Sequence, residues 1–347
     1  MGSISESGSI GGSSIFQKFY LQSVARGLIP DHRVSKCYRV RIKKFVSVNF
    51  IRHEKKAYYT GLAVCGSIWA CPVCASKISE RRKIELQSIN FEGYYLYFVT
   101  CTLSHGAEDK LSVLVTALTA ALRSVRSGRW WVEFKEKYSI VGSITAQEVT
   151  FSLKNGFHPH KHILFISSSP IDNLENFKAE LFARYNGKLL KRGRHANYTH
   201  GVDVRACDGG ALEYISKVTK WGIESELTKG TVKKSIKAAD TFSMFGLLGS
   251  SSAYLQSKFV EYVRAYTGAR QMVYSAGLRD LFHLGEDISE EDLALQEVKE
   301  DHYLLAELSA LDWKNILYKK LRAECLEVAS QGSSELLHDW VSAVVYG

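Results

Sequence analysis

Apolar side chains recur along this chain with two periods, and the switch between them marks out its elements. YYLYFVTCTL (94–103), SIVGSITAQEVTF (139–151) and THGVDVRAC (199–207) are aromatic or β-branched runs that predict strands. FHPHKHILFI (157–166) predicts a returning strand, because LKNG (153–156) carries a turn signal. Helical spacing predicts helices over 15–30, 77–90, 108–137, 169–185 and 209–222. Asp172 or Asn173 is a candidate cap for the fourth of these, and Gly222 stops the fifth. Strand, helix, hairpin, helix, strand, helix is the order of an α+β fold centred on an antiparallel sheet with helices. Residues 240–347 read as mainly helical, and no internal repeat is visible.

The opening MGSISESGSIGGSS has neither the basic nor the apolar region of a secretory signal, and reads as a disordered tail. No stretch approaches the roughly 18–20 apolar residues that span a bilayer. The expectation is a cytoplasmic protein with no membrane partner. Its organisation reads as a tail (1–14), a cysteine-rich segment (15–90), a sheet-bearing domain (91–225) and a mainly helical C-terminal region (226–347) with an acidic end.

Charge changes the picture. The net charge of +9 is unevenly spread: residues 284–347 hold 14 Asp/Glu and 5 Lys/Arg, whereas residues 1–283 hold 40 Lys/Arg and 22 Asp/Glu. A body carrying +18 points to a polyanionic partner, most simply nucleic acid.

The seven cysteines do not suit a disulfide framework, because the count is odd and the chain is long. Cys65, Cys71 and Cys74 fall within ten residues and include a C-x-x-C hook, a spacing that grips one tetrahedral metal. Cys37 is the expected fourth ligand of a structural zinc, with His53 in reserve. Cys101, Cys207 and Cys325 are isolated and read as core residues.

HPHKHILF (158–165) places His158, His160 and His162 at every second position. On a strand the three share one face, and Lys161 takes the other. Two imidazoles one pleat apart can share a divalent cation. Glu148 on the preceding strand is the candidate third ligand. A three-residue loop over Lys154–Gly156 puts it on the same face, opposite His162, with Gly156 at positive φ; a two-residue turn puts it on the wrong face. His158 is expected at the strand edge, outside the ligand set. Two histidines and a carboxylate with open positions suit Mg²⁺ or Mn²⁺ with a bound phosphate, and would also suit zinc. On the 209–222 helix Tyr214 and Lys217 are three apart and share a face. Tyr214 reads either as a core aromatic or, over a phosphodiester, as a nucleophile whose phosphate charge Lys217 steadies.

In this order FVTCTLSH (98–105), HPHKHILF (158–165) and YISK (214–217) resemble the three motifs of plasmid rolling-circle replication initiators of the HUH endonuclease superfamily. CGSIWACPVCA (65–75) resembles their cysteine-rich region, and FVEYVRAYTGARQMVYSAGL (259–278) the segment that follows; the resemblance covers about 35–282. It implies a metal-dependent, site-specific DNA endonuclease and strand transferase that nicks one strand at a double-strand origin. The DNA is single-stranded at the nick. Tyr214 is implied as the nucleophile that stays on the 5′ phosphate, leaving a 3′-OH primer. His160 and His162 are implied ligands, and 91–225 is the implied nicking domain. Thr100 and Thr102 pack beside the site. A host helicase and polymerase are partners such an enzyme can recruit. Two positions depart from the pattern. Lys161 replaces a usual hydrophobic residue, faces away from the site and is available to DNA. Gly210 stands where some relatives carry a terminating glutamate, a role open to Asp208 or Glu213. The rivals are a transposase or relaxase of the same superfamily, and a non-catalytic zinc-containing DNA-binding regulator.

Overall fold

The computed structural model describes residues 14–207, 241–296 and 302–346. Its order opens with helix α1 (Ser14–Leu28), strands β1 (Val46–Ile51) and β2 (Lys56–Thr60), helix α2 (Pro72–Gln87) and strand β3 (Tyr95–Thr102). Helices α3 (Leu111–Val125) and α4 (Arg129–Lys137) lead into strands β4 (Ile140–Ser152) and β5 (Gly156–Ser167). Helix α5 (Leu174–Leu190), a short turn of helix α6 (Tyr198–Gly201) and strand β6 (Val202–Ala206) follow. Beyond residue 240 come strands β7 (Thr241–Phe242), β8 (Met272–Tyr274) and β9 (His302–Leu308), with helices between and after them. No described helix is long and apolar enough to cross a membrane.

The expected α+β architecture is present. A mixed-length antiparallel sheet runs β6-β3-β5-β4-β7, and β8 also pairs with β4. Period-two alternation divides its faces. Val99, Cys101, Ile163 and Phe165 point to one side and pack with Leu111, Leu114 and Leu118 of α3 and Phe177 and Leu181 of α5. Leu96, Phe98, Ile144, Ala146, Leu164 and Ile166 point to the other, against Leu86, Ile89, Met272 and Leu278. The histidines of β5 continue this second face. Its apolar floor therefore ends where the polar site begins.

Local chemistry sets several boundaries. Asn173, one of the two expected caps, accepts from Asn176 N at 2.9 Å and starts α5. The 108–137 stretch is two helices rather than one, broken at Gly128 with φ +75. α2 starts at Pro72, five residues before the spacing predicts, because the N–H that proline lacks would have no partner within the helix in its first turn. The C-x-x-C hook thus straddles a helix start, with Cys71 at the cap.

The periodicity missed a second sheet. β2-β1-β9 is antiparallel, and β9 comes from the region read as mainly helical. β1 and β2 fall in a segment whose charge and cysteines masked a short hairpin. Lys161 is a further correction. It is 8% exposed beneath α3, not available to DNA, and burial, with Arg126 and Arg123 nearby, holds its ammonium down at about 8.

Candidate metal centres

The β4–β5 hairpin carries the first centre. Its loop is Leu153–Asn155, one residue earlier than expected, closed by the Ser152–Gly156 pair. Asn155 N donates to Ser152 Oγ at 3.0 Å, and Gly156 has φ +74. A Cβ at Gly156 would also lie 2.7 Å from the Ala107 carbonyl oxygen, so glycine is required twice over. The earlier loop moves the register by two. Glu148 lies opposite His160, not His162, and parity keeps it on the histidine face.

Glu148 Oε2 is 2.8 Å from His160 Nε2 and 3.0 Å from His162 Nε2. All three ligand atoms fall within 4.8 Å of one another. The opposite nitrogens fix how the rings sit. His160 Nδ1 is 3.2 Å from the His158 carbonyl, which only accepts, so Nδ1 carries the proton. His162 Nδ1 is 3.0 Å from Thr100 Oγ1, and the ring stacks on Phe98 with centroids 5.0 Å apart. Neutral His160 therefore turns a bare Nε2 lone pair toward a carboxylate oxygen, itself an acceptor. Such facing acceptors repel unless a cation lies between them, and cis ligands about 2.1 Å from a metal are themselves about 3.0 Å apart. The donor set fits a divalent cation. Burial works to raise the Glu148 carboxyl; where the two imidazoles are protonated, their hydrogen bonds and charge outweigh it and hold it at about 2.

His158 stands apart from this group. Its Nδ1 is 2.9 Å from His105 Nε2, and His105 Nδ1 is 3.1 Å from the Asn155 carbonyl. Burial, then the charges of His160 and His105, hold His158 down at about 4. In the neutral pair His105 donates to Asn155 and accepts from His158, which leaves His158 Nε2 an acceptor.

The second centre gathers all four expected cysteines. Sγ–Sγ distances are 3.8 Å for Cys37–Cys71, 3.5 Å for Cys37–Cys74 and 3.6 Å for Cys65–Cys74. A tetrahedron with Zn–S bonds of ~2.3 Å has edges of about 3.8 Å, so the four sulfurs fit zinc closely. All four are buried. His53, the reserve ligand, is exposed beside Glu54 and outside the cluster. Burial resists ionisation of Cys71, yet hydrogen bonds from Cys37, Cys65 and Cys74 pull it well below the usual thiol range. Hydrogen bonds with Cys37 and Cys71 push Cys65 up, and those with Cys37, Cys65 and Cys71 push Cys74 up.

A family model described as "Replication protein" matches residues 62–319, a span that includes both hairpin strands and three of the four cysteines. The chain belongs to the replication protein family. "Protein rep" of Streptomyces lividans is 26% identical to it, over 68% of this chain and 67% of that protein. "Neomycin resistance protein" of Streptomyces cyanogenus is 31% identical over 30% of this chain and 31% of that protein. No solved structure matches.

In this replication protein Tyr214 and Lys217, with Asp208, Gly210 and Glu213, lie outside the described residues. Thr100 packs beside the site, as its motif implied, and bonds the back of His162. Thr102 bonds the Pro159 carbonyl at 2.9 Å and ties β3 to the histidine strand. His105 has a partner that sequence reasoning missed. It stands in the FVTCTLSH motif, but only the Ala107–Gly156 approach shows that its loop folds over the hairpin. Cys101 and Cys325 are buried core residues, and Cys207 is half-buried.

Proposed function

We propose that this replication protein is a plasmid rolling-circle initiator that nicks one strand of a double-strand origin. The observation carrying this reading is the convergence of Glu148, His160 and His162 on one point, each histidine braced from behind. Nothing in a purely DNA-binding regulator calls for such a donor set. When bound there, Mg²⁺ or Mn²⁺ would polarise a scissile phosphate. Glu148, His160 and His162 hold the cation. The His158 carbonyl keeps His160 in the tautomer that presents Nε2, and the Thr100 hydroxyl anchors the His162 ring from behind.

Tyr214 is the proposed nucleophile. Its phenolic oxygen forms a bond to phosphorus as the P–O3′ bond breaks, and its proton ends on the departing 3′ oxygen. The products are a 5′-phosphotyrosine adduct and a 3′-OH primer. Lys217 is proposed to steady the phosphate charge. Cys37, Cys65, Cys71 and Cys74 would hold a structural zinc. The nicking unit is proposed to span 91–225. The flanking 15–90 segment and 226–347 region are joined through the β2-β1-β9 sheet. The setting is proposed to be the cytoplasm, with a host helicase and polymerase recruited to the nicked origin.

The test is incubation of the full-length protein with supercoiled origin plasmid and Mn²⁺. An SDS-resistant protein–DNA adduct with a free 3′-OH supports the proposal. Binding without any adduct would sink it in favour of a regulator.

A further inference from the structure

Two guanidiniums lie against the cysteine cluster, and their placement has no explanation in the four thiols alone. Arg26 of α1 donates from Nη2 to the Cys37 carbonyl at 2.6 Å and to Gln22 Oε1, and from Nε to the Val34 carbonyl at 3.3 Å. Arg322 opens the helix Arg322–Ala329 and is 6% exposed. It donates from Nη1 to Gln22 Oε1 and to the Tyr38 carbonyl, both at 3.0 Å. Its ring of neighbours also includes Ser23 Oγ at 3.4 Å and the face of Phe19, 4.4 Å from the ring centroid.

Gln22 connects both arginines to the sulfurs. It is fully buried. Its oxygen accepts from both guanidiniums, and its Nε2 donates to Cys71 Sγ at 3.2 Å. Among the described residues neither arginine is ion-paired with a carboxylate; Cys71 and Cys37 are the opposite charges that reach Arg26 most, and they also reach Arg322, after the Tyr59 phenol. Burying two like charges side by side is unfavourable unless an anion faces them. Four neutral thiols are not an anion. A divalent metal held by four thiolates carries a net charge of about −2, which two guanidiniums balance.

We infer that Arg26, Arg322 and Gln22 form the charge-balancing outer shell of a zinc tetrathiolate, which clasps α1 and the helix Arg322–Ala329 onto the cysteine knuckle. This rests on the zinc reading above. Gln22 and Arg322 are 300 positions apart in sequence, so the clasp joins the two ends of the chain. It gives the zinc a role beyond folding its own loop: it holds the C-terminal region in place. Removing the metal leaves a buried and a half-buried guanidinium side by side without counter-charge, and the two helices that carry them are where the fold loosens first.

The test uses the full-length, zinc-loaded protein in two measurements. In chelator competition, Arg322→Met should weaken zinc retention about 10- to 100-fold, the range for outer-shell partners of metal ligands. Arg322→Lys keeps the charge and should stay nearer wild type. Zinc held as tightly by Arg322→Met as by wild type, or lost equally by both variants, overturns the charge balance. Hydrogen exchange of the wild type needs no variant, and decides the matter if Arg322→Met does not fold. Chelation should raise exchange within 14–28 and 322–329 more than within α3 and α5. No selective rise there overturns the clasp. Wild-type protein purified without zinc defeats the zinc reading itself; zinc present but insensitive to Arg322 defeats this inference alone.

Discussion

Glu148 faces His160 directly across the β4–β5 ladder, with Oε2 2.8 Å from Nε2, and the same oxygen reaches His162 at 3.0 Å. One carboxylate oxygen thus serves both imidazoles. Glu148→Gln preserves shape and removes the charge. Its Mn²⁺ affinity should fall by more than the about 10- to 100-fold that outer-shell partners contribute, with nicking lost in parallel. His160→Ala and His162→Ala should do the same, and His158→Ala the least. Titration calorimetry with Mn²⁺ checks this. Equal losses at His158 and His160 would show that the ligand set is wrong.

Thr100 supports His162 from behind. Thr100→Val leaves His162 Nδ1 without its partner in a half-buried site, and the ring loses its fixed orientation. Mn²⁺ affinity should drop about tenfold, within the outer-shell range. Thr100→Ser keeps the hydroxyl and should restore most of it. A valine variant that binds Mn²⁺ like wild type would show that the ring is held without the Thr100 hydroxyl.

The sheet and the site were legible to different depths. Strand alternation placed His160, His162 and Glu148 on one face, because parity survives a two-residue change of register. The register itself was not readable. It depended on whether the loop ends at Asn155 or Gly156, and Ala107, nearly fifty residues earlier, decides that by its approach to Gly156. The cysteine set was readable from spacing alone. Arg322 was not, since its contact with Gln22 joins opposite ends of the chain. β9 escaped for a similar reason, since its partner β1 lies far away in sequence. β1 and β2 form a local hairpin that the surrounding charge and cysteines masked.

Lys161 offers a test of the buried face. Its ammonium lies beneath α3, near Arg126 and Arg123, with burial the main cause of its lowered pKa. Lys161→Met replaces a costly buried cation with a packing side chain. It should raise stability by about 1–4 kcal/mol, the range for replacing buried ionic groups, measured on ion pairs, with apolar ones. Urea denaturation measures this. The salt dependence of origin binding should stay unchanged, because removing a lysine that binds phosphate would lower the slope by about one. A shallower slope would return Lys161 to the DNA interface.

Tyr214→Phe removes one oxygen. The nicking proposal expects the SDS-resistant adduct to vanish while origin binding stays within a few-fold of wild type. An adduct that persists would assign the nucleophile to another tyrosine, and peptide mapping of the adduct would identify it.

Trp69 links the two centres. It lies in the loop between Cys65 and Cys71, donates from Nε1 to the Ala269 carbonyl at 2.7 Å, and lies against Tyr266 with centroids 4.5 Å apart. The chain that follows Ala269 then braces β4 beside Glu148. Gln147 N donates to the Gln271 carbonyl at 2.9 Å, and Gln147 Nε2 to the Arg270 carbonyl at 2.6 Å. The cysteine knuckle therefore holds, through one indole, the segment that fixes the neighbour of a proposed cation ligand. Trp69→Ala should weaken Mn²⁺ binding several-fold while the four cysteines keep their zinc. Trp69→Phe retains the stacking but not the hydrogen bond, and should fall between the two. Zinc analysis alongside Mn²⁺ titration separates the effects. Loss of zinc in Trp69→Ala would make the indole part of the knuckle's own fold, and unchanged Mn²⁺ binding would show that β4 holds Glu148 without it.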